Sequence, residues 1–187
     1  DLTFGATSCT ACDPGKYRAL NQSADTCQVC TVGSYSGASA DSCSKCVVGK
    51  LSEAEGSSEC SDCGQGRFSN TTGSTACSPC TVGKAQSASG QTNCASCIAG
   101  QFEEAEESST CSSCPVGQVA TGEGATSCQS CRAGEFQDAP GQVLCKQCGA
   151  GTFSSLEGSA SCSTCRGDSY STATATECTL CRRLFFY

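Results

Sequence analysis

The stretch CTVGKAQSASGQTNCASC, residues 80–97, decides how this chain folds. One cysteine is followed by thirteen residues with no apolar side chain larger than Val82, and then by a Cys-x-x-Cys pair at Cys94 and Cys97. Such a segment cannot bury enough apolar surface to offset a backbone ordering cost of roughly 1–2 kcal/mol per residue. Something other than a core must hold it, and the candidates are a metal ion or bonds between sulfurs.

Outward from this stretch the same spacing recurs along the whole chain of 187 residues, 22 of which are Cys. Pairs begin at Cys9, Cys27, Cys43, Cys60, Cys77, Cys94, Cys111, Cys128, Cys145, Cys162 and Cys178. Their second members are Cys12, Cys30, Cys46, Cys63, Cys80, Cys97, Cys114, Cys131, Cys148, Cys165 and Cys181. From Cys43 to Cys162 every step has the same length, and self-similarity at a fixed short period marks a repeat architecture. Gly stands three residues after the second Cys at Gly15, Gly33, Gly49, Gly66, Gly83, Gly100, Gly117, Gly134 and Gly151. A glycine at a fixed offset implies a turn with positive φ or a backbone approach that a Cβ would block. Two residues further lies Tyr17, Tyr35, Phe68, Phe102, Phe136, Phe153 or Tyr170, and most middle units carry a second Gly before the next pair. Each unit therefore reads as turn, short extended piece, second turn and return, with no helical periodicity.

A longer period overlies the first. Cys46-Val-Val-Gly-Lys-Leu51, Cys80-Thr-Val-Gly-Lys-Ala85 and Cys114-Pro-Val-Gly-Gln-Val119 alternate with Cys63-Gly-Gln-Gly-Arg-Phe68, Cys97-Ile-Ala-Gly-Gln-Phe102 and Cys131-Arg-Ala-Gly-Glu-Phe136. The middle units thus group into 34-residue modules, each made of two unlike repeats.

Cysteine spacing of this kind also occurs in zinc sites, where four thiolates close a tetrahedron. Eleven pairs do not divide into fours, the chain has no His, and this density of cysteine belongs to an oxidising compartment. Two sequons, Asn21-Gln-Ser23 and Asn70-Thr-Thr72, fall in inter-cysteine loops where N-linked glycans can stand. All 22 cysteines are accordingly expected in disulfides, Asn21 and Asn70 as glycan acceptors, and no metal or other cofactor. Two pairings respect the repeat. Crosswise pairing joins Cys43 to Cys60 and Cys46 to Cys63, then Cys77 to Cys94 and Cys80 to Cys97. Loop-closing pairing joins Cys46 to Cys60 and Cys80 to Cys94, leaving Cys9 and Cys181 over. Crosswise pairing is favoured because it gives a reason for the alternation. Either makes loops near 15 residues, worth about 3 kcal/mol each in the chain-entropy view. The aromatic residues then serve as miniature cores over a disulfide or a glycine turn, rather than as an exposed stripe.

A net charge of −7 without a Lys/Arg cluster argues against nucleic acid and against an anionic membrane surface. No stretch approaches the roughly 20 apolar residues of a membrane span, so no membrane insertion is expected within the segment. The first residues lack a signal-peptide pattern and the last, Arg182 to Tyr187, are too few to cross a bilayer, as in a segment of a longer chain. No His serves as a general base, no phosphate-cradling loop opens a helix, and no paired carboxylates sit in apolar surroundings, so catalysis is not expected. The Glu103-Glu104-Ala105-Glu106-Glu107 run and the Glu53, Glu55, Glu59 group read as solvated loops, lacking the Asp/Asn ladder of a calcium site. Arg166-Gly167-Asp168 spells the tripeptide that integrins read, and a displaced turn glycine explains it as well. The Ser/Thr loops Ser69–Thr72 and Ser171–Thr174 suit O-linked sugars or plain turn filling.

The run Cys27-Gln-Val-Cys-Thr-Val-Gly-Ser-Tyr35-Ser36, with a later Gly before the next Cys in most units, resembles the ephrin-receptor-like cysteine-rich repeat. It is similar, more loosely, to tumour-necrosis-factor-receptor cysteine-rich modules. The resemblance covers essentially the whole chain and implies short two-stranded pieces stacked end to end, with crosswise pairing of adjacent units. Long uninterrupted arrays resemble surface and flagellar-hair proteins of unicellular eukaryotes. Unit 10, Cys165-Arg-Gly-Asp-Ser-Tyr170, moves its Gly forward by one, and unit 11 has Leu184 where Gly is expected, so the ends read as caps or junctions.

The expected fold is thus a class of small disulfide-rich repeats: an elongated solenoid-like rod of about eleven 17-residue units over residues 1–187, with short two-stranded β pieces and little or no helix. The expected function is a secreted, glycosylated structural element, a stalk, coat or filament subunit. It associates with itself or with other extracellular structural proteins. The competing class is a cell-surface receptor ectodomain that binds a protein ligand, for which unit 6 with its Glu run and unit 10 are the places of unusual chemistry.

Overall fold

The computed structural model describes residues 11–19 and 26–181. Among these there is no helix, and the regular structure consists of two-residue strands paired as separate antiparallel two-stranded sheets. In each sheet the first strand follows the turn, and the second is the pair of residues between the two cysteines of the next Cys-x-x-Cys. Gln118–Val119 pairs with Gln129–Ser130, with Gln118 opposite Ser130 and Val119 opposite Gln129. Gly117 precedes the first strand at φ +79° and the Pro115 carbonyl accepts from the Gln118 amide at 3.1 Å, which makes a tight turn that glycine enters without steric cost.

This placement decides the sulfur connectivity. Successive side chains of a strand point to opposite faces, so two cysteines three residues apart leave their strand on opposite sides. The first member of each pair bonds back and the second bonds forward. Among the described residues ten such disulfides run from Cys12–Cys27 to Cys165–Cys178, with Cα separations of 5.6–5.7 Å. The crosswise pairing preferred on sequence grounds is therefore wrong: Cys46 bonds Cys60 and Cys80 bonds Cys94, each loop closing on itself. Cys43 goes back to Cys30, not forward to Cys60. Cys181, expected in a disulfide, is free and exposed among the described residues. Cys9 lies outside the described residues, as do Asn21 and Arg182 to Tyr187.

The chain divides into two compact parts, each built in the same way. One takes residues up to Cys80 with Gln86–Cys94, and the other takes Thr81–Ala85 with residues from Ala95 on. Within each, three backbone hydrogen bonds recur. The amide of a second Cys donates to the turn glycine before it, as Cys131 does to Gly117 at 2.8 Å. The turn glycine donates to the next loop, as Gly117 does to Gln137 at 2.7 Å, and the second Cys accepts from that loop's later glycine, as Cys114 does from Gly141 at 2.8 Å. Parallel bridges add to these at Tyr17 with Ala40, Leu51 with Ser74 and Phe102 with Ala125.

The core is made of sulfur. Cys30, Cys46, Cys63, Cys80, Cys97, Cys114, Cys131 and Cys148 are almost wholly buried, and Leu51 packs on Cys63 and Cys77 of the following disulfide. The 34-residue alternation appears in the burial: Leu51, Ala85 and Val119 are buried, whereas Phe68, Phe102 and Phe136 at the corresponding place of the intervening units are half-buried. Tyr17, Tyr35 and Phe153 are half-buried too and Tyr170 is exposed, so the aromatic residues are at most partly covered caps rather than the expected miniature cores.

Candidate functional sites on the repeat surface

The chemistry a repeat can offer depends on what its packing leaves uncovered. The turn glycine is consumed by packing. A Cβ built on Gly15 would lie 1.9 Å from the Gly56 carbonyl oxygen, on Gly49 2.1 Å from that of Gly90, on Gly100 2.1 Å from that of Gly141, and on Gly117 2.0 Å from that of Gly158. Each of these turns therefore seats against the loop two units further on, and units of like kind touch each other. That contact, not crosswise sulfur pairing, gives the 34-residue alternation a structural basis.

The residue after the aromatic position is consumed as well. Ser36, Ser52, Ser69, Ser154 and Ser171 are buried there, and so is Gln137. The Ser69 hydroxyl donates to the Thr71 carbonyl at 3.1 Å and meets Ser74 Oγ; Ser154 does the same with Leu156 and Ser159. Gln137 spans its own loop, its Nε2 donating to the Leu144 carbonyl at 2.7 Å and its Oε1 accepting from the Ala139 amide at 3.2 Å. Sequence reasoning misses these latches, although the recurring Ser after Tyr or Phe is their signal: a small polar residue at a fixed offset beside an apolar one has a bond to make.

The other expected sites are dispersed. Glu53, Glu55 and Glu59 are exposed, and Glu103 Oε1 accepts from the Ala105 amide at 3.0 Å, which is loop capping. Among the described residues no group of three or more His, Cys, Asp or Glu stands together to hold a metal ion. Asn70 is exposed in its loop together with Thr71 and Thr72, so its sequon is open to glycan transfer. Ser69 and Ser171 are buried and bonded, while Thr72 and Thr172 are exposed. Arg166, Gly167 and Asp168 are all exposed. Open grooves lie between neighbouring loops, one of about 720 Å³ being lined by Leu51, Glu53, Glu59, Asp62 and Arg67 among others. Asp62 there is engaged by Lys50 at 2.6 Å. No helix among the described residues is long and apolar enough to cross a membrane.

Closed loops, sulfur cores and hydrogen-bonded seats define a class: a tandem array of small disulfide-rich repeats, the chemistry of an extracellular or cell-surface protein. The family model described as "Tyrosine-protein kinase ephrin type A/B receptor-like" matches residues 83–131 and again residues 117–165. Residues 83–165 are thus similar to the ephrin-receptor-like cysteine-rich repeats, and the same disulfide pattern continues through the described residues on either side. The second match begins at Gly117 and the first at Gly83, two seat glycines exactly one double unit apart. No curated protein matches the chain.

Proposed function

We propose that this array is an extracellular structural element, a spacer within a stalk, coat or filament, carrying an N-linked glycan at Asn70 and performing no catalysis. The observation that carries this reading is the uniformity of the units. Each described loop is closed by one disulfide of 13–15 residues' separation and seated by the same backbone bonds, so the geometry repeats without a specialised unit in the middle. A spacer tolerates such sameness, whereas a ligand site needs a few residues of distinct chemistry gathered in one place. Val32, Val48, Val82 and Val116, each just before its turn glycine, stay exposed and supply recurring apolar contact points for self-association or for other extracellular structural proteins.

Immunogold electron microscopy of native surface material with an antibody to the repeats tests this. Label spaced along continuous stalks, coats or filaments is the expected result. Label confined to scattered membrane receptors that are shed as a complex with a soluble protein would overturn it in favour of the receptor ectodomain.

A further inference from the structure

The scaffold repeats, but in one loop the side chains do not. The two residues before the first Cys of a pair are small or polar in every other unit, as Thr126-Ser127 and Ala160-Ser161 are on either side of unit 8. In unit 8 they are Val143-Leu144. Both stay uncovered, Val143 at 39% and Leu144 at 69% of full exposure, so packing within the chain does not call for them. They also stand beside a groove. Grooves recur between successive hairpins, and the one between units 3 and 4, of about 720 Å³, is lined by Glu53, Glu59, Asp62 and Arg67 among others. The groove between units 7 and 8 is narrower, about 250 Å³, and Val143 and Leu144 line it together with the buried Val119.

The loop that carries these residues is braced. Cys131–Cys145 closes it, and Gln137 Nε2 donates to the carbonyl of Leu144 itself at 2.7 Å. Lys146 pairs with Asp138 at 2.6 Å while its ammonium lies 5.9 Å from the centre of the Phe136 ring. Leu144 is thus offered by a backbone that is fixed before any contact, and little ordering cost remains to be met on association.

We propose that this patch pairs two copies of the chain about a two-fold axis, Leu144 of each copy entering the groove of the other. An exposed apolar side chain and an open groove on one surface are what an isologous contact needs, because each copy then supplies both halves. The groove supplies both signs of charge as well. Arg132 and Glu135 line it, and neither has an ion-pair partner among the described residues. A copy turned about the axis brings an opposite charge to each, a match that a foreign protein would have to supply separately. Two side chains and a groove bury less than about 1,200 Å², so the pairing is weak and shows at micromolar concentration. It rests on the self-association proposed above and names its place. The exposed valines before the turn glycines recur along the chain and fit several registers, whereas unit 8 allows one.

The test is sedimentation equilibrium of the oxidised protein over the micromolar range. Wild type forms a concentration-dependent dimer, and Leu144→Ser, which installs the residue that units 7 and 9 have at this place, raises its dissociation constant about tenfold or more. Leu156→Ser, at a leucine of unit 9 that is 72% exposed, leaves it unchanged and so separates this patch from general apolar adhesion. Non-reducing mass spectrometry finds the same disulfides in each variant, so a folding failure is not mistaken for lost pairing. An amine cross-linker applied to mixed light- and heavy-isotope chains joins Lys146 of one copy to Lys146 of the other. Self-association that Leu144→Ser leaves intact, or cross-links confined to Lys50 and Lys84 beside the turn valines, would overturn this patch while self-association stands. A wild type that stays monomeric throughout would overturn both.

Discussion

Pulling the chain from both ends separates sulfur-held from core-held mechanics, and loop closing from crosswise pairing. In the oxidised protein the load path does not follow the backbone. At each disulfide it crosses 5.7 Å between Cα atoms, skips a loop, and continues through the three-residue step of one Cys-x-x-Cys. With about 3.3–3.6 Å per extended residue, the stretch from Cys12 to Cys178 can reach only about 150 Å. The same stretch reaches roughly 560 Å once every bond is reduced. Crosswise pairing would leave a fourteen-residue link in each 34-residue module and roughly double the oxidised length, from about 32 to about 65 Å per module. Single-molecule force spectroscopy between handles fused outside the array, before and after dithiothreitol, reads both lengths. An oxidised contour of roughly 300 Å, the crosswise length, would refute the loop-closing connectivity. One near the reduced value would refute the claim that covalent bonds, rather than packing, carry the load.

The remaining predictions concern single residues. Gly100→Ala places a Cβ 2.1 Å from the Gly141 oxygen at φ +86° and should destabilise its module by about 2–4 kcal/mol. Gly64→Ala, with nothing within 4 Å, should stay within about 0.5 kcal/mol; calorimetry on both variants checks the contrast. Thr174 holds φ +60° where most other units use Gly, an unfavourable state for a β-branched residue. Thr174→Gly should therefore stabilise the surrounding repeats by about 1 kcal/mol, seen as slower amide exchange around Gly134. The hydrogen bond and charge of Lys146 hold the Asp138 carboxyl below its ordinary 3.8. A depressed folded value means that its contribution is present above the unfolded pKa and is lost as pH falls through the folded one. NMR titration should place Asp138 below 3.8, and Lys146→Ala should return it to the ordinary range.

The period, the short two-stranded pieces and the absence of helix among the described residues were legible in the cysteine and glycine spacing, because a covalent scaffold writes its geometry into fixed offsets. The pairing was not: the alternation of aliphatic and aromatic positions suggested double units locked crosswise by sulfur, and the disulfides close single loops instead. Its reason needs the strand placement: with Gln129–Ser130 paired between them, Cys128 points back to Cys114 and Cys131 forward to Cys145. The aliphatic place itself is held by Leu51, Ala85 and Val119 in turn, residues of quite different size, so it is not the side chain that fixes the alternation. Gly49, Gly83 and Gly117 seat on loops two units away, as Gly100 and Gly134 do in the intervening units, so like touches like along both sets, a contact invisible to any reading that compares only adjacent repeats.

The seats also explain why so little apolar surface is enough. A hydrophobic core fixes position through many weak contacts, and each lost methylene loosens it by a small step. Here position is fixed by a disulfide across each loop, three recurring backbone hydrogen bonds and a glycine with no room for a Cβ. The side chains between these points are therefore free to vary in size and charge, as the loops from Glu53 to Glu59 and from Glu103 to Glu107 do. Surface chemistry can change from unit to unit without changing the scaffold. The exception is the turn itself, where one added carbon stops the stacking, as at Gly100, whose Cβ would lie 2.1 Å from the Gly141 oxygen. A change there breaks the contact between units two apart and so weakens the scaffold, whereas a change in the acidic loops alters only what the surface offers.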